Sequence, residues 1–130
     1  MKTITLKQPW ATLVAEGIKK YEFRSWKTNY RGKVLIHAGC GVDNEALKKF
    51  SDLGFEFPAR KIIAIVEITD CIKVDNKFNE KIKLEKNIAY GTKQRSGYAW
   101  KLENVKKIEC NQTINGKLSF WEYYYDETKL

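Results

Sequence analysis

Apolar and polar positions alternate along Thr3–Lys7, placing Ile4 and Leu6 on one side, which is the period-2 pattern of a short strand. At Gln8-Pro9-Trp10 the period changes. Trp10, Leu13, Val14 and Ile18 recur at helical spacing, and Pro9 suits a first helical position, where its missing N–H costs nothing. A helix is predicted over Pro9–Glu16, stopped by Gly17, because glycine takes the left-handed C′ conformation without a Cβ penalty. Alternation returns over Lys20–Trp26, with Tyr21 and Phe23 on one face and Glu22, Arg24 and Trp26 on the other. Val34–Ala38 is β-branched and apolar, a buried strand that carries His37 near its end and runs into a Gly39-Cys40-Gly41 loop. Asp43 is an N-cap for a second helix through Leu53, with Ala46, Leu47, Phe50 and Leu53 as its apolar stripe and Gly54 as its stop. Lys61–Ile72 is the strongest β segment; its unbroken run from Ile62 to Val66 predicts burial on both faces, and the carboxylate of Glu67 is placed towards a strand end.

The polar, lysine-rich stretch 74–97 shows weak periodicity and is read as a binding loop or insert, with a turn at Tyr90-Gly91. Tyr98–Ile108 alternates again. Asn115-Gly116 is a two-residue hairpin signal that feeds a last strand, Lys117–Trp121. The pattern is therefore α+β and β-led, a single domain over residues 1–130, without the regular long helices of a doubly wound sheet. A small, partly closed mixed β-barrel with short flanking or plugging helices fits it best.

Charge narrows the partner. The chain carries a formal +8, and Met1–Val34 alone holds eight Lys/Arg against Glu16 and Glu22, a net +6. Clustering of that kind favours a phosphate-bearing partner through counterion release. The three cysteines (40, 71 and 110) stand far apart with no C-x-x-C spacing, and His37 is the only histidine. That argues for a reducing compartment and against a disulfide framework or a zinc site; no metal or other cofactor is expected. No apolar run approaches eighteen residues, so the expectation is a cytoplasmic protein with neither membrane span nor signal peptide.

Candidate chemistry concentrates in Gly17–Gly32, sixteen residues with three lysines, two arginines, one glutamate and four aromatics. The Glu22–Arg24–Trp26 face is either a solvated, ion-paired surface or the lining of a pocket in which Glu22 holds Arg24. Lys19 is either a general base, which needs burial or neighbouring cations to lower its pKa, or a phosphate contact. In an ideal strand it faces away from Glu22 and Arg24, and only a turn after Gly17 or a bulge reorients it. Trp10 and Trp100 read as core, whereas Trp26 and Tyr30, flanked by Lys27 and Arg31, are positioned to stack a base. Lys7, Lys19, Arg24, Trp26, Tyr30, Arg31 and, secondarily, His37 form the candidate binding set. Lys19, Arg24, Trp26 and Arg31 are expected to line one concave basic surface.

Several motifs together resemble one family. Leu6-Lys7-Gln8-Pro9-Trp10-Ala11, Gly17-x-Lys19-x-x-Glu22-x-Arg24-Ser25-Trp26, Tyr30-Arg31-Gly32 and Leu35-Ile36-His37-Ala38 are similar to the ASCH (activating signal cointegrator homology) domain. Ile65-Val66-Glu67-Ile68-Thr69-Asp70-Cys71, Tyr98 to Val105 and Gly116-Lys117-Leu118 continue the likeness across nearly the whole chain. The resemblance implies a PUA-like β-barrel with a cleft for RNA, DNA or a nucleotide-like ligand. Within the family some members bind nucleic acid, some have been described as ribonucleases, and one bacterial branch removes the acyl group from N4-acetylcytidine. That branch uses a lysine and a threonine in G-x-K-x-x-T-x-R. Here Gly17, Lys19 and Arg24 match, but Glu22 replaces the threonine and removes its hydroxyl. Two expectations follow: a nucleic-acid or nucleotide-binding module, or a small hydrolase of RNA or a modified nucleoside with Lys19 as base and Glu22 as acid or orienter.

Overall fold

A computed structural model of the chain describes residues 1–85 and 96–129. Six strands, β1 (Lys2–Gln8), β2 (Tyr21–Arg24), β3 (Gly32–Val42), β4 (Lys61–Lys73), β5 (Tyr98–Lys107) and β6 (Trp121–Glu122), form one mixed sheet in the order β2-β5-β4-β3-β1-β6. All neighbours are antiparallel except β1 and β3, which run parallel. Helix α1 (Trp10–Ala15) makes the crossover after β1 and α2 (Asn44–Phe50) follows β3. A third helix, α3 (Asn76–Glu85), lies between β4 and β5. The α+β, β-led reading therefore holds, but the sheet is not closed into a barrel: β2 and β6 end it, with no ladder between them.

Helix α1 plugs one side of the sheet because all its residues but Thr12 are apolar, and the Thr12 hydroxyl is satisfied by the Glu56 carbonyl. Ala11, Val14 and Ala15 pack with Ile4, Leu6, Val34, Ile36, Val66, Ile68 and Trp100, while Leu13 turns the other way onto Ala46 and Phe50 of α2. Gln8 fastens its start: Oε1 accepts from Thr12 N–H at 3.0 Å and Nε2 donates to the Pro58 carbonyl at 2.9 Å. Its end is a Schellman turn, with Gly17 at φ +75°, Gly17 N–H on Val14 O at 3.0 Å and Ile18 N–H on Leu13 O at 2.9 Å. Asp43 caps α2 as expected, accepting from Ala46 N–H at 3.1 Å, and a 3-10 turn continues it through Leu53.

The long β4 is buried on both faces. Ala64, Val66 and Ile68 face α1, while Ile62 and Ile65 face the opposite side with Leu35 and Ile108. Glu67 is not at a strand end: it sits inside β4, opposite Lys33 of β3 and Glu103 of β5, and its charge is met by Lys33. The stretch read as a loop from 74 contains α3, whose Phe78 and Ile82 pack on Tyr21, Val74 and Ala99. Its remainder, 86–95, including the Tyr90-Gly91 turn, lies outside the described residues. The Asn115-Gly116 hairpin does not form, and Lys117–Trp121 is not a strand; only Trp121–Glu122 pairs, and it pairs with β1. The reason is that this segment is held across the sheet by individual bonds. Ile114 N–H donates to Arg60 O at 2.7 Å, and Asn115 Oδ1 accepts from Arg60.

Two glycines test this architecture. Gly17→Ala meets nothing within 4 Å but must adopt positive φ, so unfolding free energy is expected to fall by about 1 kcal/mol. Gly116→Ala drives a Cβ to within 2.6 Å of Thr5 Oγ1 and 3.0 Å of His37 Cε1, and is expected to cost about 1–3 kcal/mol. Urea titration of both variants checks the order; equal costs would contradict the packing of 110–120 on β1 and β3.

Candidate nucleic-acid interface

Gly17 does more than end a helix. Lys19 N–H bonds back to Leu13 O at 3.0 Å, so Lys19 belongs to the helix-ending turn and escapes the alternation of β2. Its side chain turns inward, with Nζ 5.2 Å from the Trp10 ring centre and 4.7 Å from that of Phe23. Only 5% of the residue remains exposed. Burial holds the ammonium below the ordinary lysine range, and the nearby Glu22 carboxylate opposes that shift. The turn after Gly17 thus brings Lys19 and Glu22 within electrostatic reach.

Glu22 and Arg24 share the concave face of β2. Glu22 Oε1 accepts from Phe23 N–H at 3.1 Å, and Oε2 accepts from Arg24 Nη2 at 3.4 Å. The same Nη2 donates to the Thr5 carbonyl of β1 at 3.3 Å, so the guanidinium spans from β2 to β1 where no ladder joins them. Its carbon lies 5.8 Å from the ring centre of Trp100, which is fully buried beneath it. Among the described residues, Arg24 Nε and Nη1 meet no acceptor, and a quarter of the side chain (25%) is exposed.

Aromatic packing continues the surface. Trp26 meets Trp100 edge-on at 4.7 Å and Phe120 at 5.8 Å, and Phe120 reaches Tyr30 at 5.7 Å. Trp26 and Tyr30 are half-buried in this cluster, so what they offer outward is part of each ring. Arg31 is exposed and folds onto its own loop, Nη1 donating to Thr28 O and Tyr30 O at 3.0 Å each. It makes no bond to Arg24 or Lys19 among the described residues. Phe120 and Thr5 were invisible as site residues in the sequence, because one arrives from a distant segment and the other acts through its backbone carbonyl.

Two candidates lie elsewhere. Lys7 projects on the face of β1 that carries Thr5, its stem against Gly41 of β3 and away from Trp100, because residues in a strand alternate. His37 is not at a strand end beside an open loop: β3 runs on to Val42, and the imidazole is completely buried. Nε2 donates to the Ile114 carbonyl at 2.7 Å, so Nδ1 is the acceptor for the Thr5 hydroxyl at 3.1 Å. Thr5 Oγ1 in turn accepts from Trp121 Nε1–H at 3.1 Å. This neutral, fully used imidazole pins 114–121 to the sheet; it does not reach a ligand.

An open, six-stranded mixed sheet curled about a plugging helix, with a charged cluster at its unclosed side, defines a PUA-like α+β domain. The ASCH domain profile matches residues 4–112, and the chain belongs to the ASCH domain family. Activating signal cointegrator 1 of Homo sapiens is 29% identical over 92% of this chain, and that of Mus musculus is 24% identical over the same share. The chain spans 22% of the length of each of those proteins. A crystal structure of ASCH from Zymomonas mobilis superposes with a TM-score of 0.61 at 16% identity, covering 98% of this chain and 90% of that one. A point mutant of that protein gives 0.59 at 15% identity, covering 98% and 93%. No helix among the described residues is long and apolar enough to cross a membrane.

The buried imidazole fixes the direction of a pH effect. Desolvation lowers the His37 pKa, partly offset by its bond to Ile114 O. The unfolded chain therefore takes up a proton near pH 6.5 that the folded chain resists, so stability from the neutral ring is complete above about 6.5 and is lost as pH falls below it. Melting temperatures between pH 8 and pH 5 are expected to fall more steeply for the parent than for His37→Gln. Parallel pH profiles would contradict the assignment.

Proposed function

We propose that this ASCH domain binds single-stranded nucleic acid, RNA foremost, or a nucleotide ligand, at the unclosed side of its sheet between β1 and β2. The observation that carries this reading is Arg24. Its guanidinium is pre-positioned by Glu22, Thr5 O and the Trp100 face, yet among the described residues keeps unused donors in the fork geometry that matches phosphate. The +6 bias of Met1–Val34 supports a polyanionic partner. Trp26 and Tyr30 supply partly open ring faces beside it for sequence-tolerant stacking. Lys19, enclosed by Trp10 and Phe23, reinforces Glu22 from within and is not the outermost phosphate contact.

One observation favours a second reading. A lysine whose pKa is lowered by burial is what a general base requires, and Glu22 stands close by although its charge opposes that lowering. In a hydrolase of RNA or a modified nucleoside, Lys19 Nζ would take the proton of the attacking water and Glu22 would orient it. Glu22 offers no hydroxyl, so a threonine-type nucleophile is not available at this position.

Substitutions that keep shape and remove charge separate the two. For a binding module, Arg24→Met is expected to weaken a fluorescently labelled single-stranded RNA about tenfold or more, as loss of a charge-assisted bond does, and to flatten the log–log salt slope by about 0.7. Lys19→Met and Glu22→Gln are expected to weaken binding less, with no turnover in the parent. Parent hydrolysis of RNA or N4-acetylcytidine that disappears in both of the latter variants, at unchanged affinity and folding, selects the enzyme reading. Unchanged RNA affinity in Arg24→Met removes the basis of the first.

A further inference from the structure

The aromatic cluster at one end of the Arg24 site carries a further cation, Lys2, which is covered by a carboxylate from the C-terminal segment. Lys2 Nζ stands 5.3 Å from the Tyr30 ring centre and 5.6 Å from that of Phe120, with Glu122 Oε1 at 3.8 Å. Glu122 Oε2 also lies 3.3 Å from the Met1 amino group. Lys33, whose carbonyl accepts the Tyr30 hydroxyl proton at 2.7 Å, places Nζ 2.6 Å from Glu127 Oε2. Glu122 is close enough to Tyr30 to help raise its phenol pKa, with burial the larger cause. By strand alternation the Lys33 ammonium, opposite Glu67, lies on the other face of the sheet, so it is Lys2 that stands over the two half-buried rings, and Glu122 neutralises it.

We infer that Lys2, Tyr30 and Phe120 form a second contact surface for single-stranded nucleic acid, masked in the free protein by Glu122, which the phosphates of the strand displace. This rests on the nucleic-acid reading of the Arg24 site and extends it. The surface is continuous with that site through the Phe120–Trp26 and Trp26–Trp100 ring contacts. Lysines interleaved with aromatic faces give phosphates and bases alternate partners, which is how strand-tracking grooves are built. The covering ion pair is at least partly solvent-exposed, hence weak and screened by salt, so a phosphate chain exchanges with it readily. The carboxylate acts as a competing anion that lowers affinity for isolated or sparsely charged ligands and leaves long polyanions favoured.

The test is binding of a labelled oligouridine RNA across a salt series by the parent, Glu122→Gln, Lys2→Met and Glu80→Gln. The last changes the same net charge at an exposed helix position on α3. Glu122→Gln is expected to raise affinity several-fold at low salt and steepen the salt slope by about 0.7, as one freed lysine contact predicts. Lys2→Met is expected to do the reverse, and Glu80→Gln to move both quantities much less. Equal gains from Glu122→Gln and Glu80→Gln reduce the effect to net charge and overturn the inference. Unchanged affinity and slope in Glu122→Gln and Lys2→Met, with binding still sensitive to Arg24→Met, also overturns it while leaving the Arg24 site standing. If Glu122→Gln does not fold, Lys2→Met alone decides, since a masked surface requires it to weaken binding. No binding by the parent removes both proposals at once.

Discussion

A guanidinium stands where a strand ladder would have closed the sheet. Arg24 Nη2 donates to Thr5 O on β1 and to Glu22 on its own strand; the first bond links the β2 side of the sheet back to β1, and the second holds the guanidinium in place. A ladder would have satisfied the backbone there and left a sealed surface. A side chain leaves space, a charge and unused donors. The rest of the site serves this placement: α1 fills the interior so that Trp100 forms a rigid floor under Arg24, and the Gly17 turn swings Lys19 behind Glu22. Both bonds to Nη2 are long for charge-assisted bonds, which suits a group that must exchange partners when a phosphate arrives.

The opposite face of the sheet is treated differently. There, His37, Thr5, Trp121 and the Ile114 carbonyl form a partly buried chain of hydrogen bonds. Such a chain is costly to break in part, because a buried donor or acceptor left alone loses its full desolvation energy. It fixes the path of 114–121 and so delivers Phe120 to the aromatic cluster and Trp121–Glu122 to the edge of β1. Structural polar groups on one face and ligand-facing charges on the other meet at Thr5, whose hydroxyl serves the first and whose carbonyl serves the second.

Much of this was legible in the sequence wherever periodicity was strong. The alternation of Tyr21, Glu22, Phe23 and Arg24 placed the charged pair on one face, and the unbroken Ile62–Val66 run announced a strand buried on both sides. The site was hidden where geometry is not local. Lys19 joins Glu22 through a turn whose closing bond runs back to Leu13, and Phe120 comes from a segment that looks like a hairpin but is held by side chains. His37 looked like a strand-end residue, but β3 continues past Ala38 through Gly39 and Gly41, because those glycines make room for Thr5 and Lys7 of β1. Helix α3 was missed because only Phe78 and Ile82 mark its buried face among many lysines.

The central claim is that ligand enters between β1 and β2 and engages Arg24. NMR of protein labelled at arginine and tryptophan nitrogens, titrated with single-stranded RNA, reads this directly. The Arg24 Nε–H and the Trp26 and Trp100 indole signals are expected to shift and saturate together, while the Trp121 indole, locked to Thr5 on the other face, moves little. Saturable shifts confined to Trp121 and Arg60, with Arg24 unchanged, would contradict the account.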